Sequence, residues 1–139
     1  VAGFIGSPSM NFFPARIVST NSEMLIETES FRVPVPRAMH HQYHNLSGKE
    51  VIFGIRPEDI HSSDFIKEYE EEAVVKGIVE VIEPLGPEIL LDIRCGESSF
   101  VARVDPRVET DLGQEIKLIL DMEKMHVFEA TSPHRKIGD

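Results

Sequence analysis

The sequence predicts an all-β fold, a barrel or a sandwich. Three observations predict it. Apolar and polar residues alternate with period two over most of the chain, the alternating runs are short, and turn-forming residues separate them at near-regular spacing. Alternation with period two sends successive side chains to opposite faces, so each run buries one face and wets the other.

Taken in chain order, FFPARIVST, EMLIET and FRVPV are the first strands, with a turn at Thr20-Asn21-Ser22 between the first two. Pro34 and Pro36 have no N–H to give to a neighbour, which places FRVPV at a sheet edge. PRAMHHQYHNL begins with proline, which a first helical turn tolerates, and reads as a short helix. Leu46-Ser47-Gly48-Lys49-Glu50 is a turn leading into the strand EVIFGI. DFIKEYEEEA carries enough Glu and Lys for a helical turn or two. In AVVKGIVEVIEPLG, the side chains of Val75, Val79, Val81 and Leu85 share a face, Gly77 marks a bulge or bend, and Leu85-Gly86-Pro87 turns the chain. PEILLDIRC then places Ile89, Leu91, Ile93 and Cys95 on one face, completing a hairpin. SFVARVD, EIKLILD and a short MHVFEA supply the last strands.

Composition limits the function. The chain has 139 residues, 41% of them hydrophobic, which suits one ordinary domain with a continuous core. Its formal charge of −10, from 24 acidic and 14 basic side chains, repels phosphate backbones and anionic lipid, so nucleic acid is not an expected partner. The single cysteine, Cys95, cannot form an internal disulfide and fits a reducing compartment. The opening VAGFIG is too short to span a bilayer and lacks a basic start. It begins inside an apolar run, so the chain is expected to be a piece of a longer protein.

Candidate chemistry is sparse. His40 and His44 would lie one turn apart on a helix, the spacing of zinc enzymes, but no HExxH pattern and no second cysteine support them. They are read as solvated or partly packed histidines, and no metal is expected. LSGKE resembles an LSGGQ signature only superficially, because a strand rather than a helix follows it, and GxxxxGK[ST] is absent from the sequence. No cofactor is therefore expected on this segment. There is no GxSxG elbow, and the acidic run Glu68, Glu70, Glu71, Glu72 beside Lys67 reads as a solvated face.

The stretch GIRPEDI is more informative. Pro57 ends the strand and holds Arg56 extended. Arg56, Pro57, Glu58 and Asp59 then form either a hydrogen-bonded structural corner or a corner that takes a small oxyanion or sugar through the arginine fork. If Arg56 is partly buried and paired, its loss costs about 1–3 kcal/mol.

VAGFIGSPSMNFF, GIRPEDI, GIVEVIEPLGPEILLDI and KMHVFEATSPHR, in that order, resemble the C-terminal part of the ATP-binding subunits of carbohydrate ABC importers of the maltose and multiple-sugar type. The resemblance covers nearly the whole chain. It implies an OB-like small β-barrel of the TOBE/MOP kind with added strands and one or two short helices, with residues 1–10 a linker and 11–139 the domain. It also implies a non-catalytic regulatory and dimerising role on the cytoplasmic face of the membrane. ATP and Mg would belong to the nucleotide-binding domain. The implied partners are that domain, a second copy of the subunit, the permease subunits and a cytoplasmic regulatory protein. A sensing module for a small oxyanion or sugar is the alternative. For the contact between copies, the hairpin tip Leu85, Gly86, Pro87 and Glu88 and the segment 96–99 are the candidates, since tips project without harming the core. The identity of a transported sugar is not encoded in these residues.

Overall fold

The computed structural model describes residues 9–66, 68–130 and 136–137. These form two antiparallel sheets. The first has the order β11-β10-β4-β1-β2-β3, with β1 at Asn11–Ser19, β2 at Met24–Thr28, β3 at Arg32–Pro34, β4 at Glu50–Ile55, β10 at His126–Glu129 and β11 at Lys136–Ile137. The second has the order β5-β9-β6-β7-β8, with β5 at Ile60–Ser62, β6 at Val74–Pro84, β7 at Ile89–Cys95, β8 at Ser98–Val104 and β9 at Glu115–Leu120. Its two terminal strands, β5 and β8, approach each other, so the sheet curls into a partly closed barrel.

Strand β1 shows why the sheets stack. Phe13, Ala15 and Ile17 turn inward while Phe12, Pro14 and Arg16 face out. The Phe13 ring lies 5.7 Å from Phe53 of β4, 5.1 Å from Phe31 and 5.8 Å from Phe100 of β8, centroid to centroid. Those distances suit favourable aromatic pairs, and they join the two sheets through one core. The proline-rich β3 is an edge strand, as its composition predicts.

Three local expectations change. DFIKEYEEEA makes no α-helix: its turns are 3-10 turns, at Ser63–Phe65 and Glu71–Ala73. Its charges never supplied the apolar stripe that would hold a helix to the core. The bulge in β6 lies between Val79 and Val81, not at Gly77. The extra residue shifts the register, so Ile82 packs against the core and Leu85 is exposed. Gly77 instead permits close approach, since a Cβ there would lie 2.3 Å from Ile93 Cγ2. The helix at residues 36–46 is reduced to one α-turn, α1 at His40–Tyr43, between 3-10 turns at Arg37–Met39 and His44–Leu46, and it buries Tyr43. The short strands β5 and β11 have no counterpart in the sequence reading. Most of the expected 1–10 linker lies outside the described residues.

Candidate functional site

The GIRPEDI corner carries the chain from one sheet to the other. β4 ends at the fully buried Ile55, and Arg56 is extended, with φ −78° and ψ 150°. Pro57–Asp59 form a 3-10 turn, in which the Asp59 N–H donates to the Arg56 carbonyl at 3.0 Å, and β5 follows directly in the second sheet. The Asp59 carbonyl in turn accepts from the Asp121 N–H at 2.9 Å. That bond fixes the end of β9 to the corner.

Burial divides the four corner residues in an order that the sequence does not announce. Pro57 and Asp59 are inside, whereas Arg56 and Glu58 are exposed. Among the described residues Arg56 makes no ion pair, and the buried charge is the Asp59 carboxyl. Burial pushes its pKa above the ordinary carboxylate value, and Glu58 and Asp121 push the same way, against Lys124 and Arg56. The Lys124 Nζ lies 4.0 Å from Asp59 Oδ1 and 3.7 Å from Asp121 Oδ2, bracing the same junction.

A second tie escaped sequence reasoning. Asn11, 6% exposed at the start of β1, donates from Nδ2 to the Val101 carbonyl at 2.9 Å. Its Oδ1 accepts from the Val101 N–H, also at 2.9 Å. One side-chain amide thus satisfies both backbone groups of a residue on β8, an edge strand of the second sheet. The available signal was an amide at the head of an alternating strand, at a position whose neighbours Phe13 and Ala15 on the same face are core residues.

The other candidates lie apart from the corner. His40 Nε2 is 2.8 Å from the Val35 carbonyl, His44 falls in the next 3-10 turn, and no cluster of metal-ligating side chains occurs among the described residues. The tip Leu85–Glu88 is closed by a bond from the Leu85 N–H to the Glu88 carbonyl at 2.8 Å, with Gly86 at φ +80°. Glu88 is 3.6 Å from Arg103. Glu68, Glu70, Glu71 and Glu72 are exposed. Cys95 is a buried free thiol whose pKa burial raises.

Two sheets sharing a core, one of them curled into a small barrel and joined to the other through a braced proline corner, define an OB-type β domain. The chain belongs to the TOBE domain family: the family model described as "TOBE domain" matches residues 53–128, and one described as "MalK OB fold domain" matches residues 6–60. The two matches overlap on residues 53–60, the corner itself.

Several of the curated relatives are ATP-binding proteins named for sugar import. The oligosaccharides import ATP-binding protein MsmX of Bacillus subtilis is 37% identical over 97% of this chain and 36% of its own length. The multiple sugar-binding transport ATP-binding protein MsmK of Streptococcus mutans is 38% identical over 94% and 34%. The trehalose/maltose import ATP-binding protein MalK of Thermococcus litoralis is 35% identical over 95% and 36%. The chain therefore spans about a third of the length of the relatives it matches. Among solved structures, the cytoplasmic molybdate-binding protein ModG superposes with a TM-score of 0.63 at 11% identity, covering 84% of this chain and 94% of the other, a likeness of fold.

Proposed function

We propose that this chain is the regulatory and dimerising domain of the ATP-binding subunit of a carbohydrate ABC importer, without catalytic activity of its own. The observation that carries the reading is the similarity to sugar-import ATP-binding proteins over nearly the whole chain, combined with a fold that belongs to their TOBE region rather than to an ATPase domain. On this reading ATP and Mg act on a separate nucleotide-binding domain, and the subunit works at the cytoplasmic face of the membrane beside its permease partners. A second copy of the subunit and a cytoplasmic regulatory protein are the partners expected at this domain.

Two measurements test the reading. Calorimetry with ATP should give no saturable heat at micromolar affinity, and such heat would place nucleotide chemistry on this chain. Sedimentation over protein and salt concentration should show weak self-association that strengthens as salt screens the −10 charge, the screening length being about 8 Å near physiological ionic strength. The exposed tip around Leu85 and the solvent-facing Phe12, 56% exposed and edge-on to Phe128, are the surfaces where association should be read. A strict monomer at several hundred micromolar would remove the dimerising part of the proposal. The alternative of oxyanion sensing at Arg56 is less favoured, because the carboxyls of Glu58, Asp59 and Asp121 surround the same corner.

A further inference from the structure

The two sheets leave a cleft of about 630 Å³ where β3 and the first 3-10 turn face the ends of β5 and β9 and the segment before β6. That volume falls within the roughly 300–1,000 Å³ of small-molecule sites. Much of the lining is apolar and stiff: Pro34 and Pro36 come from one side, the half-buried Tyr69 from the segment facing them, and Leu120 and Met122, both buried, also line it. The rim is polar in both directions. Arg37 brings fixed N–H donors, while Glu70 and Asp121 bring acceptor oxygens.

We propose that this cleft binds a small neutral polyol of the mono- or disaccharide class. Each simpler ligand class meets an obstacle here. An oxyanion would face Glu68, Glu70, Asp121 and Glu123, with Arg37 as the one arginine of the lining among the described residues. A nucleotide fails for the same reason. A plain organic cation gains from the carboxylates but leaves the Arg37 donors unused, so it is the rival that the test must separate from a sugar. A sugar uses the whole set: its hydroxyls donate to the carboxylates and accept from the guanidinium, and its C–H face lies against the Tyr69 ring and the proline rings.

The cleft is held open by the GIRPEDI corner without containing it. The Asp121 N–H is tied to the Asp59 carbonyl at 2.9 Å, and Lys124 lies 3.7 Å from the Asp121 carboxylate, so the rim oxygens are positioned before a ligand arrives. Such preorganisation removes part of the ordering cost of binding. The proposal gives the regulatory reading a ligand. It rests on that reading only for the consequence of binding, not for binding itself.

The sequence supplies the probe. It has two tyrosines and no tryptophan, and Tyr43 is 3% exposed, so the Tyr69 ring is the reporter of the cleft. With maltose titrated to about 20 mM, a range suited to millimolar affinity, the Tyr69 ring resonances should shift saturably while those of Tyr43 stay in place. By calorimetry, Tyr69→Ala and Arg37→Ala should each weaken binding by about tenfold, and Leu85→Ala at the distant tip should leave it unchanged. The proposal is overturned by the absence of saturation, by undiminished binding in both cleft variants, or by putrescine or sulfate saturating the same ring shift at lower concentration than maltose. Self-association is measured without sugar, so failure here is separate from failure of the dimerising role.

Discussion

Replacing Asn11 by alanine removes the amide that serves both backbone groups of Val101, and the cost follows from their burial. The two bonds are 2.9 Å each, Asn11 is 6% exposed and Val101 8%. Each loses its contribution as a bond and leaves a desolvated backbone group, which costs about 1–3 kcal/mol apiece. The smaller side chain opens room through which water can reach one of the two, so the lower half of the summed range applies, about 2–4 kcal/mol. For a chain of this size about 4 °C of Tm accompanies each kcal/mol, so Tm should fall by about 8–16 °C. Urea unfolding followed by circular dichroism gives the same quantity independently, as a lowered midpoint at unchanged slope. Phe12→Ser, on the same strand but facing solvent, is the control and should cost far less. A loss below about 0.5 kcal/mol in Asn11→Ala, the level of an ordinary surface change, would refute the reasoning that the amide closes the β8 edge.

Gly77→Ala should cost about 1–3 kcal/mol, because its Cβ meets the fully buried Ile93 at 2.3 Å and the Arg94 carbonyl at 3.1 Å. Gly54→Ala should cost less, since its nearest obstacle is the flexible Met10 thioether at 2.6 Å; equal Tm losses in the two variants would count against the packing argument. Asp59→Asn should stabilise the fold at neutral pH. The folded pKa of Asp59 lies above its ordinary 3.8, so the stability this group lends is full below 3.8 and is lost as pH rises through the raised value. The gain in Tm from Asn should therefore be largest near pH 7 and disappear near pH 3, and a gain independent of pH would show that ionisation is not its origin. Arg56→Ala should change stability by less than about 0.5 kcal/mol, because the guanidinium is exposed; a loss of 1–3 kcal/mol in urea unfolding would reveal a buried pairing of Arg56 instead.

The β architecture was legible because period-two alternation is a local signal that burial of one face imposes on every strand. PEILLDIRC and AVVKGIVEVIEPLG announced their hairpin, and Pro34 and Pro36 announced an edge, since a missing N–H has the same meaning in any sheet. Failures came where a tertiary partner decided the outcome. Gly77 looked like a bulge because glycine often sits in one, yet its space is taken by Ile93 from the paired strand. The bulge fell instead around Glu80, where nothing in residue type marks it. β5 spans only Ile60–Ser62, too few residues to show a period, and exists because β9 pairs with it. The acidic segment before β6 has helix-forming residues but no apolar stripe, and without packing such a segment does not stay helical.

The corner shows the same limit at a functional scale. From sequence, Arg56 is the conspicuous residue, since a guanidinium beside two carboxylates after a buried strand suggests recognition or a buried ion pair. What the fold requires there is different. A chain that leaves one sheet for another must place a turn against the core. Pro57 fills that place without an N–H to satisfy, and Asp59, at the end of the same 3-10 turn, is also inside. Its backbone carbonyl is then aimed at Asp121, and one hydrogen bond of 2.9 Å carries the position of the corner to the end of β9. Residue type indicated that the stretch mattered. Only the path of the chain shows that its inward carboxyl and its carbonyl, rather than its arginine, connect the junction of the sheets to the rim of the cleft.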